Sequence, residues 1–302
     1  MALTSRPTVV RSMRLLTGEW GVRRGPFRHL SGRPTCGLVA PIGTRTTMLT
    51  EPSRTPYDLN FQFAGIPVRV HPFFWIAALI LGAHGTRQES AGVDILIWTV
   101  AMFVSILVHE LGHSFVIRLF GQAPRIVLYM MGGLAITDSA SSYGFGASKR
   151  SPRNQILISL AGPGAGFLLA IFIITAIIAM GGEFELTTSG FPFFFCVVPD
   201  GTSEEARRLL GSFLYMNIFW GLLNLLPVYP LDGGQVAREV FQIADPHNGF
   251  LRSLWLSVVV ATTVAVVDGN YLESMLLAFF FGSLAVSAYL LIKQMTGGSG
   301  YG

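Results

Sequence analysis

Six long apolar segments, separated by short polar connections, constrain this chain more than any other feature of its sequence. They cover approximately residues 70–84, 93–120, 155–180, 209–227, 250–267 and 271–292. A helix needs about 20 residues to cross the hydrocarbon core of a bilayer. The second, third and sixth segments reach that length easily, whereas the first is short and the fifth is marginal. The pattern predicts an all-α membrane protein with about six transmembrane helices.

The composition supports lipid as the solvent. Hydrophobic residues make up 51% of the 302 residues and charged residues only 13%, with a mean hydropathy of +0.54. An average soluble domain carries about 25% charged residues, so this chain has too little charge to cover a soluble core. Cys36 and Cys196 are the only cysteines, and they form neither a disulfide framework nor a thiolate metal site.

The first 50 residues differ from the rest, with eight arginines and a single acidic residue, Glu19. This segment lacks the continuous apolar run of a secretory signal. Its composition is typical of a disordered basic arm, which we predict for residues 1–61. A transit peptide, or translated sequence upstream of a start at Met48, would have the same composition. A membrane domain is predicted for 62–294 and a short flexible tail for 295–302.

The distribution of basic residues predicts the orientation in the membrane. If the N-terminus is cytoplasmic, 18 of the 21 Lys and Arg residues fall on the cytoplasmic side and only three on the other. Cytoplasmic connections carry such an excess, so both termini are predicted to be cytoplasmic in a multi-pass protein of the cell (inner) membrane. The basic pI of about 9.3 then reflects topology, and no nucleic-acid partner is predicted.

The second segment contains His109-Glu110-Leu111-Gly112-His113. Histidines four residues apart lie one turn apart on the same helix face, where both imidazoles can reach one Zn²⁺. Glu110 can then hold an attacking water. His109 lies about 16 Å along the helix from Phe120, so these polar groups are placed well inside the bilayer. Ionisable groups at that depth are functional candidates by default.

A catalytic zinc site needs a third protein ligand, and the candidate is Asp232. It follows Pro227 and Pro230, which cannot continue the fourth helix, and it precedes Gly233 and Gly234, which allow a sharp turn. Irregular backbone at membrane depth is tolerated where it lines a wet cavity. Taken alone, the same residues would form an ordinary turn in a cytoplasmic loop.

These motifs resemble the site-2 protease family of intramembrane zinc metalloproteases. The likeness extends over about residues 62–294, and its motifs are His109-Glu110-Leu-Gly-His113, Ala161-Gly162-Pro163, Asn217, and Asn224-Leu-Leu-Pro-x-x-Pro-Leu-Asp232-Gly-Gly. The resemblance implies one Zn²⁺ per chain and cleavage of transmembrane regulatory proteins near the cytoplasmic side of the bilayer. It also implies that residues 125–137 form a short membrane-dipping β-loop, and that Asn217, Asn224, Gly132 and Gly133 line the substrate cavity. Without the resemblance, a simple polar-flanked linker fits residues 125–137 equally well, because their apolar alternation is imperfect.

The chain departs from the family in two respects. Many members have Gly-Pro-x-x-Asn in the third span, where this chain has Gly166 in place of the Asn. The connection at 181–206 is too short for a PDZ domain, and few residues follow the last span. A compact form without PDZ or CBS domains is therefore expected.

Two other functional classes remain open from the sequence. A membrane metal-ion transporter also places histidines and carboxylates in its helices, although the third, fifth and sixth segments are almost devoid of ionisable groups. A catalytically silent relative that binds membrane proteins is the other alternative, although it would be free to lose Glu110 or Asp232. The sequence makes no prediction of oligomeric state.

Overall fold

The computed structural model describes residues 52–83, 91–130, 132–137, 151–186, 194–267 and 275–297. The described residues all belong to one compact unit; most of the predicted arm and the last five residues of the predicted tail lie outside the described residues. Within the described ranges, four helices are long and apolar enough to cross a membrane: α2 (Ala91–Leu119), α3 (Pro152–Ala179), α7 (Gly249–Val267) and α8 (Met275–Gly297). They confirm the second, third, fifth and sixth predicted segments.

The outer faces of these helices carry large apolar side chains that the protein itself does not cover. Leu168 and Phe172 on α3 are each 69% exposed, and Phe279 on α8 is 77% exposed. Burial of such surface is favourable, so these faces suit a lipid environment.

The first and fourth predicted segments are not regular spans. The first forms α1 (Pro72–Ala83), whose 12 residues extend only about 18 Å. The fourth forms a continuous helical run in three parts: α4 (Glu204–Leu214), a π-helical segment (Tyr215–Trp220) and α5 (Gly221–Asn224). The charged residues of its first turns and Pro227 after its end limit its apolar length. Four candidate spans, rather than six, are therefore observed in the described part of the chain.

A four-stranded sheet corrects the prediction of an all-α fold with a single β-loop. It comprises β1 (Leu59–Phe63), β2 (Ile66–Val70), β3 (Pro124–Tyr129) and β4 (Gly132–Thr137), in the order β1-β2-β3-β4. Strands β1 and β2 pair antiparallel, as do β3 and β4, while β2 and β3 run parallel through the crossover of α1 and α2. The β3–β4 pair coincides with the predicted loop, but β1 and β2 were missed.

The sheet packs onto the helices through its central strands. Val68 and Val70 on β2 and Ile126 and Leu128 on β3 are at most 2% exposed. They share a core with apolar residues of α1 and α2, including Phe74, Ala78, Met102, Ile106 and Leu111. The sheet is thereby held against α2, the helix that carries the two histidines.

The segment before β1 is tied to the sheet by Arg69. Its guanidinium donates to Asp58 Oδ2 at 3.0 Å and to the Pro52 carbonyl at 2.9 Å. The hydroxyl and backbone amide of Thr55 also donate to the Asp58 carboxylate, and with Arg69 they hold the pKa of Asp58 below its ordinary value. The boundary predicted at residue 61 thus falls inside β1. Polar contacts hold the chain in place upstream of the first apolar run.

A pair of short strands and a short helix complete the described fold. Strands β5 (Glu183–Leu186) and β6 (Phe194–Val197) pair antiparallel. Helix α6 (Asp232–Ala244) follows the turn after α5 and packs between α3 and α7. The sequence pattern predicts a turn here rather than a helix, because Gly233 and Gly234 have low helix propensity.

Candidate metal centre

The two histidines face each other on α2. His109 Nε2 and His113 Nε2 lie 3.1 Å apart, and the side chains of His109, Glu110 and His113 offer ligand atoms within 4.8 Å of one another. His113 and Glu110 are 7% and 5% exposed. The helical spacing read from the sequence therefore produces one compact group of donors, away from solvent.

The imidazole of His113 is oriented by α3. Its Nδ1 lies 2.6 Å from the Ile158 carbonyl oxygen, and since a carbonyl only accepts, Nδ1 carries the proton. In the neutral ring Nε2 is then left with its lone pair directed toward His109. A hydrogen bond from the nitrogen that does not bind the metal, such as that from Nδ1 to the Ile158 carbonyl, fixes the tautomer of metal-binding histidines.

Close packing of α2 against α3 makes this contact possible. A Cβ on Gly112 of α2 would collide with the Ala161 carbonyl oxygen, and a Cβ on Gly162 of α3 would overlap His113 Nε2 and lie 2.8 Å from His109 Nε2. Small residues allow membrane helices to approach closely. The absence of a side chain at Gly162 thus leaves space for both imidazoles.

Asp232 reaches the histidines from a distant part of the chain. Its Oδ2 lies 3.0 Å from His109 Nε2 and its Oδ1 lies 3.4 Å from His113 Nε2. Asp232 is the first residue of α6, so the turn at 225–231 carries it to α2. The structure therefore brings together the three side chains that the sequence motifs indicated as ligands.

The donor set fits a metal ion. Two imidazole nitrogens and a carboxylate converge, and a single proton on His109 Nε2 could not satisfy all of their contacts at once. Ligand atoms about 2.1 Å from a tetrahedral ion lie roughly 3.4 Å apart. The two Nε2 atoms lie 3.1 Å apart, and each has one carboxylate oxygen of Asp232 nearby, Oδ2 at 3.0 Å from His109 and Oδ1 at 3.4 Å from His113. A cation at the centre would satisfy all three groups.

Glu110 projects from α2 toward strand β4. A Cβ on Gly133 would collide with Glu110 Cγ and lie 2.6 Å from its Oε1, whereas a Cβ on Gly132 would meet nothing within 4 Å. Of the two glycines predicted to line the cavity, only Gly133 is in contact with Glu110. Strand β4 therefore closes one side of the candidate centre.

A small cavity adjoins His109. Asn217, in the π-helical segment, donates from Nδ2 to Ser105 Oγ and to the Phe213 carbonyl, each at 2.8 Å. These bonds direct its Oδ1 toward Gly166, where a Cβ would be 3.3 Å away. Ser105, His109, Gly166 and Asn217 all line this cavity. π-helical turns occur frequently at functional sites.

The sequence motifs predicted Asn224 as a cavity residue but did not predict Ser105. Asn224, predicted to line the cavity, closes α5 and is half-buried, and its side chain makes no hydrogen bond to the part of the chain that the structure describes. Ser105 was missed, although its spacing offered a signal. It precedes His109 by four residues and so lies on the same face of α2.

Comparison with known proteins identifies the family. Residues 97–266 match the sequence profile of Peptidase family M50. Because that match covers more than half of the chain, the chain belongs to Peptidase family M50. This confirms the resemblance inferred from the motifs.

Curated relatives share a quarter or more of their aligned residues with the chain. Zinc metalloprotease MJ0392 of Methanocaldococcus jannaschii is 25% identical over 236 residues, 78% of this chain and 56% of that protein. Putative zinc metalloprotease sll0528 of Synechocystis is 28% identical over 195 residues, 61% of this chain and 44% of that protein. The chain thus spans about half the length of the curated relatives it matches.

A solved structure is also similar. The site-2 protease from Methanocaldococcus jannaschii aligns with a TM-score of 0.46 and 22% sequence identity, over 78% of this chain and 95% of that one.

Proposed function

We propose that the chain is an intramembrane zinc metalloprotease that hydrolyses a peptide bond in the transmembrane helices of regulatory membrane proteins. The observation that carries the proposal is the convergence of His109, His113 and Asp232, whose facing nitrogen and oxygen atoms lie 3.0, 3.1 and 3.4 Å apart. The two histidines of this group lie on a helix apolar enough to span a bilayer. Membership of Peptidase family M50 and the zinc metalloprotease names of the relatives support it.

In this proposal His109, His113 and Asp232 hold one Zn²⁺ per chain. When bound, the metal activates a water for attack and polarises the scissile carbonyl. The bond from His113 Nδ1 to the Ile158 carbonyl keeps the imidazole in the orientation that ligation needs.

Glu110 is the proposed general base. It holds the attacking water, takes its proton and later delivers that proton to the leaving amine. Its side chain is 5% exposed and lies against Gly133, so bulk water is largely kept from it. A carboxylate beside two ligating histidines, itself left out of the ligand set, is the arrangement that this chemistry requires.

The substrate segment is proposed to bind as an extended strand beside β4. An intact helix hides its carbonyls in its own hydrogen bonds, so the substrate helix must unwind locally before cleavage. In the described sheet β4 is a terminal strand, paired only with β3, and an extended peptide can add to such an edge. Gly132 and Gly133 lie on this strand, and the side chains of Asn217 and Asn224 are proposed to face the bound segment.

The proposed arrangement in the membrane has six spans, with α1 and the run from α4 to α5 as its shorter members. The β3–β4 pair dips into the bilayer, both termini are cytoplasmic and the protein resides in the cell (inner) membrane. The excess of basic residues on one side supports this orientation. The partners are then a transmembrane protein substrate and the lipid bilayer.

Cleavage of a model transmembrane substrate by the purified protein in liposomes tests the function. We expect cleavage that a chelator abolishes and Zn²⁺ restores. Glu110→Gln should keep the metal and lose cleavage, while Glu205→Gln, at an exposed position of α4, should remain active. Proteolysis by Glu110→Gln would remove Glu110 from the mechanism. Zinc uptake into the liposomes without cleavage would favour transport, and substrate binding without cleavage would favour a silent relative.

A further inference from the structure

Asp232 depends on the turn that precedes it. The residue begins α6, and the chain reaches it from α5 through 225–231, where the backbone bonds are short-range contacts such as Leu231 N to the Val228 carbonyl at 2.8 Å. This turn belongs to neither helix. The position of the Asp232 carboxylate relative to His109 therefore depends on what holds the turn in place.

Helix α7 holds it through Ser257. The Ser257 hydroxyl oxygen accepts from the backbone N–H of Tyr229 at 2.9 Å. Its own proton is directed to the Ser253 carbonyl at 2.8 Å, with the Pro227 carbonyl at 3.4 Å as the alternative acceptor. Ser257 is only 1% exposed, so no solvent competes for the Tyr229 N–H.

The turn is confined on its other side by the first residues of α6. A Cβ on Gly234 would overlap the Val228 carbonyl group and lie too close to Tyr229 N, and a Cβ on Gly233 would overlap the Leu225 carbonyl. Val228 is fully buried. The turn is thus enclosed between these glycines and Ser257, and Asp232 is continuous with it.

We propose that Ser257 is a positioning residue for the metal centre, which acts through the backbone of Tyr229 to hold the Asp232 carboxylate at the two histidines. The proposal rests on the proposed role of Asp232 as a ligand. Without the Ser257 oxygen, the Tyr229 N–H loses its acceptor in a buried place, and the turn must shift to find another. Groups that orient ligands from outside the coordination shell affect metal affinity about 10- to 100-fold.

Ser253 provides a matched control on the same helix. It lies one turn before Ser257 and is also 1% exposed. Its hydroxyl donates to the Phe250 carbonyl of its own helix, at 2.7 Å. Ser253→Ala and Ser257→Ala therefore remove the same atom from equally buried positions, and only the second change removes a contact to the turn.

The test is the Zn²⁺ affinity of the purified full chain, measured by competition with chelators of graded strength. We expect Ser257→Ala to weaken Zn²⁺ binding at least about tenfold, with Ser253→Ala close to the unmodified chain. Ser257→Thr keeps the accepting oxygen and should restore the affinity. The visible spectrum of bound Co²⁺ should change in Ser257→Ala and not in Ser253→Ala, since only the former alters ligand geometry.

Asp232→Asn distinguishes the role of Asp232 as a metal ligand from the role of Ser257 as a positioning residue. If Asp232 is a ligand, this change alone weakens Zn²⁺ binding, and adding Ser257→Ala to it produces no further loss. Unchanged affinity in Asp232→Asn would overturn the ligand assignment itself. Equal affinities in Ser257→Ala and Ser253→Ala, in a background where Asp232→Asn does weaken binding, would overturn the role of Ser257 alone.

Discussion

Gly162 offers the sharpest perturbation of the candidate centre. Its Cα faces the two imidazoles, and an added Cβ would overlap His113 Nε2 and lie 2.8 Å from His109 Nε2. In Gly162→Ala the imidazoles or α3 must move. Overpacking of this kind costs about 1–3 kcal/mol, and if that strain falls on the ligands it corresponds to roughly 5- to 150-fold weaker metal binding.

Gly164→Ala is the matched control, because the same change two residues later on α3 would place its Cβ within 4 Å of nothing. The assay is Zn²⁺ affinity by chelator competition, together with cleavage of a transmembrane substrate. Gly162→Ala should lose metal and activity in parallel, while Gly164→Ala should keep both. If Gly162→Ala binds and cleaves like Gly164→Ala, the imidazoles do not lie against Gly162, and the geometry of the centre is refuted.

Other contacts lead to three further expectations. Gly133→Ala should abolish cleavage and retain Zn²⁺, because its Cβ displaces Glu110 rather than a ligand, whereas Gly164→Ala should retain both; equal activities would contradict the contact with Glu110. Asn217→Ala should lower kcat/KM for cleavage several-fold at unchanged metal content, and a loss of metal instead would make Asn217 part of the metal centre. Asp58→Asn should lower thermal stability at neutral pH. The pKa of Asp58 in the folded protein lies below its ordinary value of 3.8, so its carboxylate makes its full contribution to folding stability above about pH 3.8. The difference in stability between the original protein and Asp58→Asn should disappear as the pH falls through the pKa of Asp58 in the folded protein.

The membrane character and half of the candidate centre could be predicted from the sequence. Long apolar runs have few alternatives to membrane helices, and α2, α3, α7 and α8 agree with the predicted segments. The His109–His113 pair is equally local, because helical geometry alone places residues four apart on one face. Neither inference requires knowledge of any other part of the chain.

The sheet shows where local patterns were insufficient. Strand β1 begins in the stretch predicted to be the end of a basic arm, and β2 lies at the start of the predicted membrane domain. Asp58 and Arg69 look like surface charges in the sequence, whereas the structure pairs them. The prediction at the glycines of α6 was also wrong because it used local preference alone. Their low helix propensity predicted a turn, yet packing against the backbone of Leu225 and Val228 outweighs that preference.

The chemical groups available to this protein follow directly from its sequence: two histidines and a glutamate in one apolar helix, and an aspartate after a proline-containing turn. Which of these groups meet depends on the tertiary structure. Asp232 and His109 are 123 residues apart in the chain, and their 3.0 Å contact depends on Gly162 allowing α3 close to α2 and on the turn that leads into α6. Contacts between distant segments arise from shape and packing, which leave no fixed spacing in the sequence.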